Sequence, residues 1–342
     1  MIRRPDPSLL DLHDALLFDL DGTLMHGARP IPHAVEAVDA ARAAGRSVVF
    51  ATNNASRTPQ QAADHLAGIG LSARPEEFIT SPQVASRLLA DDLAPGSKVL
   101  VVGGPSLAEQ LRADGLDPVE SDAEDVVAVV QGWSPDLGWE RLAEGAYAIR
   151  RGARWMATNV DATLPTERGL APGNGSLVAA LRHATGAEPE VAGKPEPGMF
   201  TVAAAQVGSR RPLVVGDRLD TDIEGAVRAG IDSLLVLTGV DTVETALRAE
   251  PVRRPTYITP DLAEIAAPFP LPVVDGDTAR CGAVSVRRQG EDIAVLHGEA
   301  RDPRVLRAVL ALLRALCPEQ AWGGRLLERD GTEALPATAA AR

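Results

Sequence analysis

"LLFDLDGTLMHG", from Leu16 to Gly27, is the stretch of sequence that decides the fold. An apolar run ends there in two aspartates, Asp19 and Asp21, which one residue separates and Gly-Thr follows. Unpaired charge at the end of a buried strand is energetically costly. The two carboxylates therefore predict a site that supplies compensating positive charge.

Apolar runs alternate with helical patterns through most of the chain, which predicts parallel strands covered by helices. The further runs are Ser47 to Ala51, Lys98 to Gly104, Val126 to Gly132, Arg154 to Asn159, Pro212 to Asp217 and Ser233 to Leu237. After about Pro268 the pattern changes to two strands around a turn, Gln289 to Asp292, and one helix with a strongly apolar face. We expect an α/β fold with a small C-terminal α+β appendage.

Length and composition restrict the class of protein. A chain of 342 residues is too long for one core, so we expect two folded units with room for a smaller third. The net charge of −13 opposes general binding to nucleic acid or anionic lipid. Two cysteines form no disulfide framework, and no apolar run reaches the ~18 residues of a membrane span. We expect a cytoplasmic protein without membrane insertion.

Four short stretches carry the chemistry. They are "FDLDGT" (Phe18 to Thr23), "ATNN" (Ala51 to Asn54), "GKPEPGMF" (Gly193 to Phe200) and "VGDRLDTD" (Val215 to Asp222). Three of them directly follow an apolar run, so a parallel sheet brings them to one carboxyl edge, where ligands of open α/β sheets bind. Each stretch alone is compatible with a turn or a helix cap. Their combination in this order favours a catalytic site.

The residue types suit phosphoryl transfer. Asp19 is a short carboxylate that can attack phosphorus and form an aspartyl phosphate. Asp21 projects on the same side of an extended chain and is the candidate general acid and base. Gly22 permits the turn that aims Asp21. His26 lies close enough to Asp21 to contact substrate; the alternative is a surface or gate histidine without a catalytic role.

An attacking carboxylate and a phosphate dianion repel each other, so the site needs a cation and hydrogen-bond donors. Mg²⁺ prefers oxygen ligands, and Asp19, the backbone carbonyl of Asp21 and Asp217 can supply them. The waters of that cation are assigned to Asp222, with Asp220 as a further candidate. The donors to the phosphoryl oxygens are predicted to be the Thr52 hydroxyl, the Asn53 amide and the Lys194 ammonium.

In these stretches the chain resembles the haloacid dehalogenase-like (HAD) phosphatases, and more narrowly their NagD-like and 4-nitrophenylphosphatase-like members. The narrower resemblance rests on "TNNAS" (Thr52 to Ser56), "ATNVDATLPTERGLAPGNGSLVAAL" (Ala157 to Leu181), "GKPEPGMF" and "VGDRLDTDI". It extends from about Ala15 to Ile265. The motifs are specific for the superfamily and much less specific for the substrate.

The resemblance implies a Rossmann-like core interrupted by a large α/β cap that governs selectivity. The expected parts are a first core segment at 10–82, a cap at 83–189, a second core segment at 190–268 and an appendage at 269–342. Within the cap, the stretch from Asp161 to Ser176 is expected to face the active site, with Asp161, Thr166, Glu167 or Arg168 near the leaving group. The alternative is an exposed connection whose Asn174 to Ser176 cap the next helix.

Together these considerations define the candidate site. The catalytic residues are Asp19, Asp21 and Lys194; the phosphate- or substrate-binding residues are Gly22, Thr52, Asn53, Asn54, Lys194 and Asp161; the metal ligands are Asp19, Asp21, Asp217 and Asp222. The resemblance implies a Mg²⁺-dependent phosphomonoesterase for a small phosphorylated metabolite, most similar to the actinobacterial glycerol-3-phosphate phosphatases. Phosphoglycolate, pyridoxal phosphate and nucleotide monophosphates are alternative substrates.

Two other classes of function stay open from the sequence. One is a phosphotransferase or mutase, which passes the phosphoryl group to a second hydroxyl. The other is a non-catalytic regulatory protein that binds a phosphometabolite. For the appendage we predict a packing or assembly role, and a homodimer is compatible with the sequence.

Overall fold

The structure is a computed structural model that describes residues 6–54, 58–166 and 168–335. The helices are α1 Leu9–Leu12, α2 Ala34–Ala43, α3 Pro59–Gly68, α4 Ser81–Asp92, α5 Pro105–Ala113, α6 Trp139–Arg150, α7 Asn174–Thr185, α8 Gly198–Gln206, α9 Glu224–Ala229, α10 Val243–Arg248 and α11 Pro303–Leu316. Short 3₁₀ turns lie at Pro75–Glu77, Pro251–Arg253 and Leu262–Glu264, and a π-helical turn lies at Leu219–Ile223. Within these ranges, no helix combines the length and the apolar character that a membrane crossing requires.

The strands are named in chain order. They are β1 Ala15–Phe18, β2 Met25–His26, β3 Arg29–Pro30, β4 Ser47–Thr52, β5 Phe78–Thr80, β6 Lys98–Val102, β7 Asp117–Val119, β8 Val126–Gln131, β9 Arg154–Ala157, β10 Thr163–Thr166, β11 Gly169–Pro172, β12 Glu190–Val191, β13 Pro212–Gly216, β14 Asp232–Val236, β15 Tyr257–Thr259, β16 Val273–Asp275, β17 Thr278–Cys281, β18 Val284–Gln289, β19 Asp292–His297, β20 Leu326–Leu327 and β21 Glu333–Leu335.

The chain divides into two units. The first comprises Met1–Phe50, Gly68–Leu71 and Ala204–Arg342, and the second comprises Ala51–Ala67 and Ser72–Ala203. The first unit therefore contains both the start of the chain and the appendage. The four-part boundaries proposed from the sequence stay a prediction.

In the first unit, the strands of the main sheet follow the order β15-β14-β13-β1-β4. The pairs among β15, β14, β13, β1 and β4 are parallel. Strand β1 is buried along its whole length, as expected for a parallel sheet covered on both faces. Phe18 pairs with Val215 of β13, so the residues after these two strands emerge side by side.

The appendage forms a second sheet in the first unit, with the order β16-β17-β18-β19-β20-β21. The predicted hairpin of β18 and β19 is confirmed, and β16, β17, β20 and β21 extend it. Helix α11 is buried without interruption from Val305 to Leu313. One apolar cluster joins Leu235 and Ile258 of the first sheet to α11 and to Val286 of the appendage. This shared core agrees with the packing role predicted for the appendage.

The second unit contains its own parallel sheet, with the order β12-β9-β8-β6-β7. Helices α6 and α7 pack on one face through a cluster that includes Val129, Trp155, Val178 and Leu181. The stretch after Asp161 forms the antiparallel hairpin of β10 and β11. The α/β fold, with a Rossmann-like core and an inserted α/β cap, is confirmed.

Candidate active site

Three carboxylates meet at the carboxyl edge of the first unit's sheet. Oxygen atoms of Asp19, Asp217 and Asp222 all lie within 4.8 Å of one another. Asp217 and Asp222 are fully buried and Asp19 is half-buried. Like charges this close are unfavourable without a cation, and a set of carboxylate oxygens is the donor chemistry that Mg²⁺ prefers. The donor set of these three residues therefore fits Mg²⁺.

Asp21 lies outside this group of carboxylates. Its side chain is exposed, and the ligand predicted from Asp21 is its backbone carbonyl rather than its carboxylate. The turn after Asp21 is fixed by the N–H of Gly22, which donates to Met25 O across 2.8 Å. Gly22 has φ +94°, and a β-carbon there would overlap the carboxylate of Asp217. Gly22 thus serves the turn, as predicted, and also makes room for Asp217.

The loop from Thr238 to Asp241 encloses Asp217 and lies outside the four motifs identified from the sequence. The N–H of Val240 donates to Asp217 Oδ2 across 2.8 Å, and the N–H of Asp241 donates to Asp217 O across 3.2 Å. The hydroxyl of Thr238 donates to Gly22 O across 2.7 Å. This loop directly follows β14, so its position at the same carboxyl edge was the signal that could have identified it.

Asp222 is placed by the π-helical turn Leu219–Ile223. Its Oδ2 accepts from the N–H of Arg218 across 3.2 Å, and a β-carbon on Gly216 would overlap its side chain. Asp220, the further candidate, is exposed and receives two hydrogen bonds from the Arg218 guanidinium, at 3.0 and 2.9 Å. The structure therefore places Asp222, and not Asp220, in the carboxylate group.

His26 is the candidate substrate contact of this unit. It lies at the end of β2, is exposed, and pairs through Nε2 with Thr238 O at 3.0 Å. The antiparallel pair of β2 and β3 carries it next to the loop that encloses Asp217. This contact ties the imidazole to the loop that encloses Asp217.

In the second unit, Asn53 and Lys194 form a group of their own. Asn53 Oδ1 accepts from the N–H of Lys194 across 2.8 Å, and Asn53 Nδ2 donates to Lys194 O across 3.0 Å. The Lys194 side chain is 3% exposed, and its ammonium donates to Ala51 O across 3.2 Å. A β-carbon on Gly193 would lie 2.6 Å from Asn53 Oδ1, so glycine is required beside the lysine. The Asn53 side chain thus forms two hydrogen bonds to the main chain of Lys194.

The remaining candidates of the second unit surround this pair. Thr52 is buried, and its Oγ1 accepts from the N–H of Asn54 across 3.1 Å. Asp161 is half-buried and accepts from Asn53 Nδ2 across 3.4 Å. Arg168 is exposed. Ser56, Glu167 and the side chain of Thr166 lie outside the described residues.

Two family models match the chain. "Haloacid dehalogenase-like hydrolase" matches residues 16–117, and the HAD-hydrolase-like model matches residues 191–265. These ranges contain the four motifs "FDLDGT", "ATNN", "GKPEPGMF" and "VGDRLDTD".

Individual proteins resemble the chain over most of its length. The chain is 51% identical over 290 residues to D-glycerol 3-phosphate phosphatase of Mycobacterium tuberculosis, covering 83% of this chain and 81% of the relative. A crystal structure of glycerol phosphate phosphatase from M. tuberculosis with magnesium matches with TM-score 0.82 and 46% identity, over 94% of this chain and 95% of the other. The 4-nitrophenylphosphatase of Thermotoga maritima matches with TM-score 0.69 and 31% identity, over 75% and 98%. The chain belongs to the haloacid dehalogenase-like hydrolases.

Proposed function

We propose that the protein is a Mg²⁺-dependent phosphomonoesterase that hydrolyses glycerol 3-phosphate to glycerol and phosphate. The observation that carries the proposal is the group of Asp19, Asp217 and Asp222, whose carboxylate oxygens lie within 4.8 Å of one another at the sheet edge. A nucleophilic carboxylate beside two buried carboxylates is suited to phosphoryl transfer only with a bound divalent cation. When bound, Mg²⁺ neutralises the phosphate and lowers its repulsion of Asp19.

In the proposed mechanism, an oxygen of Asp19 attacks phosphorus while the bond from phosphorus to the alcohol oxygen breaks. Asp21 gives its proton to the leaving alkoxide, so glycerol departs neutral. Asp21 then removes a proton from water, and the water oxygen attacks the phosphorus of the aspartyl phosphate. Inorganic phosphate leaves and the carboxylate of Asp19 is regenerated.

The second unit supplies the remaining positive charge and donors in this proposal. Lys194 contributes its ammonium and Thr52 its hydroxyl to the phosphoryl oxygens. For Asn53 we revise the assignment, because its side-chain amide is engaged with Lys194 and Asp161, and we propose that it positions the lysine. Gly22, Asn54 and Asp161 complete the proposed binding residues.

The choice of glycerol 3-phosphate is supported by the 51% identity to the D-glycerol 3-phosphate phosphatase of M. tuberculosis. Other relatives are named for other phosphate esters, among them a 5'-nucleotidase of Bacillus subtilis at 37% identity. Phosphoglycolate, pyridoxal phosphate and nucleotide monophosphates are therefore the comparison substrates. We further propose that the protein is cytoplasmic and binds no nucleic acid, and a homodimer is compatible with the sequence. The proposed domains are a first core segment at 10–82, a cap at 83–189, a second core segment at 190–268 and an appendage at 269–342.

The test is a phosphate-release assay with Mg²⁺ on glycerol 3-phosphate and the comparison substrates. We expect the highest kcat/KM for glycerol 3-phosphate and loss of turnover in Asp19→Asn, with an unchanged near-UV circular dichroism spectrum. Retained activity in Asp19→Asn contradicts the mechanism. Binding of a phosphometabolite in calorimetry without release of phosphate favours the regulatory alternative, and transfer to an added sugar favours the phosphotransferase.

A further inference from the structure

Asn53 holds the main chain of Lys194 through its side chain, and the carbonyl oxygen of Asn53 is itself held by two donors. This oxygen accepts two hydrogen bonds inside the second unit, one from Asn159 Nδ2 at 3.0 Å and one from the Ser81 hydroxyl at 3.0 Å. Asn159 is 5% exposed. The residue that orients the lysine is therefore itself held by a buried side-chain amide from the segment after β9.

Asn159 is fixed at both ends. Its Oδ1 accepts from the N–H of Asp161 across 3.2 Å while its Nδ2 donates to Asn53. Its backbone carbonyl accepts from Asn174 Nδ2 across 2.7 Å, and Asn174 also reaches Gln131 O at 3.4 Å. Asn174 is 2% exposed and is the first residue of α7. A continuous line of hydrogen bonds thus runs from α7 to Lys194.

The two glycines beside Asn174 allow the start of α7 to approach the backbone around Asn159. A β-carbon on Gly173 would overlap Asp161 O, and one on Gly175 would overlap Val160 O. The N–H of Gly175 donates to Asp161 O across 2.9 Å. The sequence "GNG" therefore lets the first turn of α7 touch the backbone beside Asn159, and a larger side chain at either glycine position would separate them.

We propose that Asn159 and Asn174 are positioning residues for Lys194, acting through Asn53. The inference deepens the proposed function, because it gives the lysine's role in phosphate binding a structural support inside the cap. Hydrogen bonds between buried amides are strong and specific in direction, so the loss of one link lets the next group turn. Neither residue touches substrate in this scheme; each acts through the main chain of Lys194.

Two substitutions break the line at separate links while keeping side-chain size. Asn159→Asp keeps the acceptor for the Asp161 N–H but replaces the donor that faces Asn53 O with an oxygen. Asn174→Leu removes the donor to Asn159 O with a side chain of similar shape and places no charge beside the carbonyls of Asn159 and Gln131. The second variant therefore breaks the line without burying a charge.

The direct readout is hydrogen exchange of the Lys194 amide, which donates to Asn53 Oδ1. We expect either variant to accelerate this exchange about tenfold or more. We expect kcat/KM to fall about ten- to hundredfold, and the inhibition constant of inorganic phosphate to rise in parallel with KM. Single-amide resolution comes from fragmentation mass spectrometry. The melting temperature is measured on the same samples.

Trp155→Phe is the matched control. It removes a buried hydrogen bond of the same sheet, from Trp155 Nε1 to Gln131 Oε1 at 3.2 Å, without touching Asn53 or Asn159. We expect it to lower the melting temperature and to leave the exchange of the Lys194 amide and KM unchanged. The proposal is overturned if both the Asn159 and the Asn174 variant leave that exchange unchanged, or if Trp155→Phe accelerates it equally. If the native protein releases no phosphate, the proposed function fails while the exchange result still decides the positioning role.

Discussion

The N–H of Val240 donates to Oδ2 of Asp217 across 2.8 Å, although 23 residues separate them in the chain. The same carboxylate accepts from the Thr23 hydroxyl through Oδ1 at 3.3 Å. Asp217 is therefore oriented by two elements that follow two different strands. These two hydrogen bonds hold the buried carboxylate in one orientation.

Gly239, beside Val240, tests this arrangement. A β-carbon there would overlap Asp217 Oδ2, so Gly239→Ala must displace the carboxylate or the loop. We expect the Mg²⁺ concentration for half-maximal activity to rise about tenfold or more, since a misplaced ligand costs affinity. The measurement is a Mg²⁺ titration of kcat.

Gly323→Ala is the control for this substitution. A β-carbon at Gly323 meets no atom within 4 Å, so its Mg²⁺ dependence should equal that of the native protein. Equal Mg²⁺ dependence in Gly239→Ala as well would contradict the role given to the loop.

Removal of one carboxylate should stabilise the metal-free protein. Asp19, Asp217 and Asp222 repel one another when no cation is bound, and Asp222→Asn removes one charge while keeping an acceptor for the Arg218 N–H. In excess chelator we expect the variant to melt about 2 °C or more above the native protein. Added Mg²⁺ should raise the melting temperature of the native protein and leave that of the variant nearly unchanged. A lower melting temperature of the variant in chelator would refute the repulsion.

Acid should destabilise the first unit through His13. This imidazole is 3% exposed and packs edge-on against Tyr257, with ring centroids 5.7 Å apart. Burial lowers the pKa of His13 below its ordinary value of about 6.5, and the Asp232 carboxylate opposes the shift. The unfolded chain then binds the proton more tightly, so stability is present above pH 6.5 and is lost as the pH falls toward the folded pKa.

His13→Phe isolates this contribution. Urea denaturation at pH 7.5 and pH 5.5 should show a smaller acid loss in the variant, with a difference of at most about 1.4 kcal/mol per pH unit. An identical loss in both proteins would assign the acid sensitivity to other groups.

Arg254 should anchor the appendage. It is 4% exposed and donates to the carbonyls of Ala249 and Leu313 at 3.2 Å each, and to those of Cys317 and Gln320. Lysine has no planar fork and cannot satisfy these acceptors together. We expect Arg254→Lys to lower the free energy of unfolding by about 2–4 kcal/mol, because buried carbonyls lose their donors.

The comparison for Arg254 is a surface arginine of the appendage. Arg325 pairs with Asp292 at 2.7 Å and with Glu333 at 3.0 Å, and its side chain is 44% exposed. Arg325→Lys should change the free energy of unfolding by less than about 1 kcal/mol. Urea midpoints measure both variants, and equal losses would show that the buried carbonyls are not the cause.

Local pattern was sufficient to predict the apolar strands of the parallel sheets. The apolar run before Asp19 forms β1, Ala15–Phe18, and Asp19 directly follows it. A capping box is present at Thr58, with the Thr58 N–H donating to Gln61 Oε1 at 2.9 Å and the Gln61 N–H donating to Thr58 Oγ1 at 3.3 Å. Such features depend on neighbours within a few residues, which the sequence displays directly.

The function of Asn53 could not be predicted in this way. Its partner Lys194 lies 141 residues further along the chain, and the segment "ATNN" gives no indication of which residue its side chain contacts. The same holds for Gly239, whose constraint comes from Asp217. A side chain with several donors and acceptors has many local uses, and only packing selects one.

By itself, the sequence determined the parallel strands, the four motifs and the family, because apolar periodicity and residue order are local properties. The tertiary structure alone decided that Asp222 rather than Asp220 joins the carboxylate group. It also decided that the Asn53 side chain forms hydrogen bonds to the main chain of Lys194, and that the appendage shares the core of the first unit. These outcomes rest on contacts between distant segments. Their free energy depends on which atoms burial brings within hydrogen-bonding distance, and that is fixed only when the chain is folded.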